Sequence, residues 1–299
     1  GCCQNVPQIV DLCKTHSAIY VADAAQFLGN RAATASLAEA GAACFSFGES
    51  KLLRLGEGGA VVTNSNELAE RVRLARHEGE MWIRLNSSRL EGFRPSVSDV
   101  LGHLASVRNG LNFRPLSIIA ALGRVMLREL PNQLAISAAN ANALSRKLAS
   151  HPGLTLPGAD SRTWWTFPLQ IHAEQRETFL AALLAEGVPA GVHFPRLLAD
   201  HPVVKECGGV ESDEAKNARA FAASHLVLPI YPRLTSSHMH QISAAFAKVL
   251  RYERDLCSSE ARERADHVLT KLPVSELCSG LFIFLNDDDA SWAGIRVGT

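Results

Sequence analysis

The sequence predicts an α/β protein in which a mostly parallel sheet with flanking helices is followed by a smaller α+β unit. Three observations carry this. Short apolar runs at Ile19 to Ala22, Ala43 to Phe47 and Gly59 to Thr63 have strand length and strand composition. Segments with apolar residues at helical spacing bracket them, at Pro7 to His16 and Asn66 to Ala75. After His151 the pattern changes to a shorter alternation of strands and helices.

Pro7 to His16 reads as a helix packing on the sheet, with Ile9, Val10, Leu12 and Cys13 as its apolar side. Ile19 to Ala22 then delivers Asp23 at the C-terminal end of a strand, where parallel sheets place their ligands. Ala43 to Phe47 and Gly59 to Thr63 flank a loop that holds Lys51 among glycines and small residues. Asn66 is the expected N-cap of the next helix, which ends near His77-Glu78-Gly79. Glu80 to Arg108 is polar with mixed signals, and reads either as a surface insertion or as a substrate loop.

Leu116 to Leu130 reads as an apolar helix, with Ala120, Ala121 and Gly123 as small positions for close packing. Pro131 is expected to interrupt it, because proline offers no N–H and clashes with the preceding turn. Gln133 to Ser150 follows as a long helix towards the second domain. There, Thr163 to Ile171, Ala190 to Phe194 and Leu226 to Pro229 read as strands. Glu174 to Glu186, Glu214 to Ser224 and Ser236 to Glu253 read as helices, the first ended by Gly187. The adjacent Trp164 and Trp165 are expected on opposite faces of a strand, one in the core and one facing a substrate. Leu281 to Thr299, with Asp287-Asp288-Asp289, reads as a peripheral tail. The expected division is 1–132, 133–255 and a tail at 256–299.

Composition excludes some classes. Lys plus Arg and Asp plus Glu both number 30, so no basic field argues for nucleic acid. No apolar run approaches the roughly 20 residues that span a bilayer. The seven cysteines, Cys2, Cys3, Cys13, Cys44, Cys207, Cys257 and Cys278, show no CxxC pairing. Free thiols in a reducing, cytoplasmic compartment are expected, and no metal site. His238 and His240 are two residues apart, which on a helix points them to different faces, so they are read as surface residues.

Asp23 and Lys51 together suggest chemistry. A strand-end Asp commonly caps a helix, and a loop Lys commonly stays solvated. As a pair they are what pyridoxal 5'-phosphate (PLP) requires: a lysine to hold its aldehyde and an acid to keep its ring nitrogen protonated.

Around this pair stand Asp23-Ala24-Ala25-Gln26, Phe45-Ser46-Phe47, Gly56-Glu57-Gly58-Gly59 followed by Thr63-Asn64, and Asn112-Phe113-Arg114. On these motifs the sequence resembles the DegT/DnrJ/StrS family of PLP-dependent sugar aminotransferases, from about residue 5 to about residue 250. His193-Phe194-Pro195 and Leu228-Pro229-Ile230-Tyr231-Pro232 are weaker echoes of it. The resemblance implies the aspartate aminotransferase fold, fold type I, with the C-terminal part of its large domain followed by its small domain. It implies that Lys51 holds the cofactor and shuttles a proton, that Asp23 pairs with the ring nitrogen, and that Gln26 lies near the ring hydroxyl. Ser46 is implied to bind the phosphate, and Asn112 to reach across a homodimer interface to the neighbour's phosphate.

The family also has an upstream segment with a glycine-threonine phosphate turn and an aromatic that stacks on the ring. This chain opens Gly1-Cys2-Cys3, so the resemblance implies the C-terminal portion of a longer protein. Where family members often have a histidine, this chain has Trp164-Trp165, a departure from the usual nucleotide-sugar site. The implied function is transamination of a keto-sugar, nucleotide-linked, with glutamate as amino donor. The alternatives are a PLP-dependent sugar dehydratase, disfavoured by the presence of Lys51, and a regulatory or structural dimer with a decayed site.

Overall fold

The computed structural model describes residues 6–29, 37, 41–79, 106, 109–158, 163–208, 215–252 and 258–271. The chain divides into two compact units, Gly1–Pro131 and Asn132–Thr299.

In the first unit, helix α1 (Val6–Thr15) precedes strand β1 (Tyr20–Asp23), which pairs in parallel with β2 (Gly41–Ser46). Strand β3 (Gly59–Val62) returns antiparallel to β2. One face of this sheet is apolar by alternation: Ala22, Ala43 and Phe45 are buried with Val6 of α1, Phe27 and Leu37. Gly59 sits opposite Ser46, and a Cβ there would stand 2.5 Å from the Phe45 carbonyl oxygen. Only glycine allows β3 to approach β2 this closely.

Helix α2 (Asn66–Ala75) starts as expected, but its cap is Ser65 rather than Asn66. The Ser65 side chain accepts from the Leu68 N–H at 3.2 Å. Helix α3 (Ser117–Leu148) corrects the expected break: it runs through Pro131 without interruption. Proline costs about 3 kcal/mol within a helix. The buried positions Leu130, Ser137, Ala141, Leu144 and Leu148 keep one helical phase across it, and burying that stripe outweighs the lost bond.

The second unit is built around a two-stranded antiparallel sheet of β4 (Phe167–Gln170) and β5 (His225–Leu228). All four residues of β5 are buried, which explains why Leu226-Val227-Leu228 reads as a continuous apolar run rather than an alternating one. Helices α4 (Arg176–Ala185), α5 (Pro202–Glu206), α6 (Lys216–Ser224) and α7 (Ser236–Arg251) follow in chain order around it. Its core joins Phe167, Leu169, Phe179, Leu183, Leu226, Ile242 and Phe246 to the C-terminal half of α3. The Phe179 and Phe246 rings meet at 5.5 Å.

Three expectations for this unit are corrected. The strand expected from Thr163 begins only at Phe167, so both tryptophans precede it and strand alternation does not govern them. Ala190 to Phe194 forms no strand: a single bridge joins Gly191 to Val227, and Phe194 leaves extended geometry at φ 53° between Pro189 and Pro195. Within the expected tail at 256–299, Ser259–Leu269 forms helix α8, which packs against α4 and brings Leu269 to the core. The segment 80–108, except residue 106, and the tail 281–299 lie outside the described residues.

Candidate active site

Asp23 closes β1 directly opposite Cys44 of β2, and Ser46 lies two residues further along β2. Paired residues of parallel strands share a face, as do residues i and i+2. Asp23, Cys44 and Ser46 therefore share the face opposite the apolar core, at the C-terminal end of the parallel pair.

Asp23 is exposed, and its Oδ1 accepts the Ala25 N–H at 3.0 Å. This contact forms an Asx-type turn that anchors one carboxylate oxygen and leaves Oδ2 to meet a positive group. Gln26 is half-buried in the turn that follows.

Lys51 belongs to the loop that joins β2 to β3, and hydrogen bonds hold that loop shut. The Phe47 N–H donates to Gly58 O at 2.8 Å, and the Leu55 N–H donates to Phe47 O at 2.9 Å. Within it, the Lys51 N–H donates to Gly48 O at 3.0 Å, and Arg54 Nε donates to Lys51 O at 3.2 Å. Leu53 and Leu55 are buried, so the loop is tethered by side chains as well.

Gly48, a residue the sequence reading did not single out, links two of the candidates. Its N–H donates to Ser46 Oγ at 3.3 Å. A Cβ on it would lie 3.4 Å from Ser46 Oγ and 3.9 Å from Lys51 Cγ, so the serine hydroxyl and the lysine stem border one small cradle. With one lone pair of Oγ taken, the hydroxyl proton can be given to an anion. An amine, a carboxylate, a hydroxyl donor and a cradle kept open by glycine form a donor set that fits PLP.

Asn112 lies on another segment, where it forms an isolated bridge with His77. Arg114 holds it, Nε donating to Asn112 Oδ1 at 2.9 Å. Leu111, Phe113, Leu116 and Ile118 around it are exposed, Phe113 at 68% and Ile118 at 74%.

In the second unit, Trp164 is buried and stacks on Phe167 at 5.5 Å. Trp165 is half-buried, with its ring 4.6 Å from that of His193. His225 Nε2 is bonded to the carbonyl of His193, next to Phe194 in its left-handed conformation. His238 is more than a surface residue: with Thr235 it forms the capping box of α7. Cys13, Cys44 and Cys207 are free thiols. Among the described residues, no group of three or more His, Cys, Asp or Glu side chains is arranged to hold a metal, and no helix is long and apolar enough to cross a membrane.

The chain is similar to known proteins in sequence and in fold. Residues 1–247 match the profile of the DegT/DnrJ/EryC1/StrS aminotransferase family. L-glutamine:2-deoxy-scyllo-inosose aminotransferase of Streptoalloteichus tenebrarius is 32% identical over 244 residues, 71% of this chain and 54% of that protein. An uncharacterised protein of Methanocaldococcus jannaschii, MJ1066, is 22% identical over 84% of this chain and 64% of its own length. This chain thus spans between half and two thirds of the length of both relatives. Among solved structures, Helicobacter pylori PseC, an aminotransferase of pseudaminic acid biosynthesis, superposes with a TM-score of 0.70 at 23% identity, over 83% of this chain and 64% of that one. S. venezuelae DesV superposes at 0.64 with 26% identity, over 83% and 62%. These likenesses establish the fold type I architecture.

Proposed function

Because this chain belongs to the DegT/DnrJ/EryC1/StrS aminotransferase family, whose enzymes use PLP, we propose that it takes part in PLP-dependent transamination of a keto-sugar. The carrying observation is the convergence of Asp23 and Ser46 on one face at the strand ends, with Lys51 beside Ser46 across the Gly48 cradle. When bound, PLP supplies an electron sink that accepts an amino group from a donor and passes it to a ketone.

This chain's residues supply the rest. Lys51 Nζ would hold the cofactor's aldehyde and, once the donor's amine has displaced it there, would be free to carry a proton between the substrate carbon that bears the nitrogen and the cofactor. The free oxygen of Asp23 keeps the ring nitrogen protonated through a pair of opposite charges. Gln26 would lie near the ring hydroxyl, and the Ser46 hydroxyl would donate to the phosphate. Asn112 serves the phosphate of a partner chain in a homodimer. Its exposed apolar neighbours support that reading, since a contiguous apolar patch around a polar residue suits an interface.

The acceptor in this reading is a nucleotide-linked keto-sugar and the donor is glutamate. The 32% identical relative is named for L-glutamine and 2-deoxy-scyllo-inosose, so both donors belong in the test. The free thiols Cys13, Cys44 and Cys207 suit a cytoplasmic setting.

The test is a single half-reaction. The protein is loaded with PLP and given L-glutamate or L-glutamine, and the released 2-oxo acid is counted. One equivalent per site is expected with at least one donor, and none from Lys51→Ala. Equal release from that variant would remove Lys51 from the chemistry.

A further inference from the structure

The two segments that flank residues 80–108 are bonded to each other. The Leu111 N–H donates to Ala75 O at 2.7 Å, the Phe113 N–H to Arg76 O at 2.9 Å, and the Glu78 N–H to Leu111 O at 3.1 Å. Glu78 takes a left-handed backbone, φ 56°, to complete this junction. A Cβ on Gly110 would stand 2.3 Å from Gly79 N, so the two segments of the junction meet where only glycine fits.

Arg114 folds back onto this frame with three contacts. Nε donates to Asn112 Oδ1 at 2.9 Å, Nη1 lies 3.2 Å from His77 Nε2, and Nη2 reaches Glu78 Oε1 at 3.5 Å. A guanidinium carries donors only. The end of the Asn112 carboxamide that it meets is therefore the carbonyl, which sets the NH₂ as the end for a ligand. The same logic makes His77 Nε2 an acceptor and puts the ring proton on Nδ1. His77 is 4% exposed, so the guanidinium leans on a fixed, buried ring.

We infer that Arg114 is a positioning residue that locks the Asn112 carboxamide as a hydrogen-bond donor towards an anion, braced from behind by His77. The inference rests on the reading of Asn112 as a ligand of a partner chain's cofactor phosphate. An unlocked carboxamide can turn over and present its oxygen, which repels a dianion. Locked, it presents two N–H donors and no acceptor. Specificity for a phosphate-bearing ligand thus depends on a side chain that need not touch the phosphate.

The test is a double-mutant cycle read as a binding preference, without turnover. Affinities for PLP and for pyridoxal, which lacks the phosphate, are measured for the protein, Asn112→Ala, Arg114→Met and the double variant. Each single change removes the use of one charge-assisted hydrogen bond and should lower the PLP-over-pyridoxal preference roughly tenfold or more. The double variant should be no worse than Asn112→Ala alone. Pyridoxal affinity and melting temperature should hold, which reports that the fold is intact. Arg114→Lys keeps the charge but not the planar fork, and is expected to behave like Arg114→Met. Additive losses would mean that Arg114 acts on the phosphate itself and would overturn the inference, as would full retention in Arg114→Lys. An unchanged preference in Asn112→Ala would overturn the reading of Asn112 and the inference with it.

Discussion

Leu55, four residues after Lys51, lies against Gly123 of α3 so closely that a Cβ there would stand 2.9 Å from Leu55 Cδ1. The Lys51 loop is thus seated on the helix through a leucine that the helix admits by having no side chain. Ala would be tolerated by a small turn of the leucine, whereas a larger residue would not. Gly123→Leu should lower stability by about 1–3 kcal/mol through overpacking. Adding Leu55→Ala should return part of the loss, since the new side chain then fills the vacated space. Urea unfolding of the three variants checks this. If the second change instead adds its own full cost, the two residues are not coupled.

Asp23→Asn should fold normally, because the residue is exposed and asparagine keeps the oxygen that accepts from Ala25. Turnover should fall roughly 10²–10³-fold, the size of losing one well-placed electrostatic group in an active site. A variant with near-normal turnover would leave Asp23 as a turn residue only.

Thr235 and His238 make a pH prediction. The Thr235 N–H donates to His238 Nδ1 at 3.3 Å, and the His238 N–H donates to Thr235 Oγ1 at 3.3 Å. Burial pushes the His238 imidazole below its ordinary range. The folded state thus favours neutral His238, and the unfolded chain takes up the proton first as pH falls. The stability from this cap is present above the ordinary histidine pKa and is lost as pH drops through the lower folded value. His238→Gln keeps an acceptor that does not titrate. The stability difference between the protein and this variant, measured by urea at pH 8 and pH 5, should shift against the protein at pH 5, and a pH-independent difference would contradict the assignment.

In the second unit, Phe246→Ala removes a fully buried ring that meets Phe179. A loss of about 3–5 kcal/mol is expected. A loss under 1 kcal/mol, again by urea, would show that the core is not packed as described.

Much of this was legible in the sequence where local and global signals agree. The apolar runs around Asp23 and Lys51 become β1, β2 and β3 within one or two residues of their expected bounds. The cap on Ser65, one residue before the expected Asn66, differs only because both residue types cap well. What was hidden lies in tertiary context. Pro131 breaks a helix in isolation but not one whose buried stripe continues past it. The Ala190 to Phe194 run has strand composition, yet it makes a single bridge between two prolines. Gly48 and Arg114 carry no periodic signal, and their parts depend on which atoms the fold brings near them. The short spacings of Ser46 to Gly48 and Asn112 to Arg114 were the clues available.

The central claim is that Lys51 is the residue that holds the cofactor. Incubation of the protein with PLP, reduction with borohydride and peptide mass spectrometry test it most directly. A stable pyridoxyl addition is expected on the peptide that contains Lys51, reduced strongly in Asp23→Asn and absent in Lys51→Ala. Addition at a different lysine, or equal scatter over many, would contradict it.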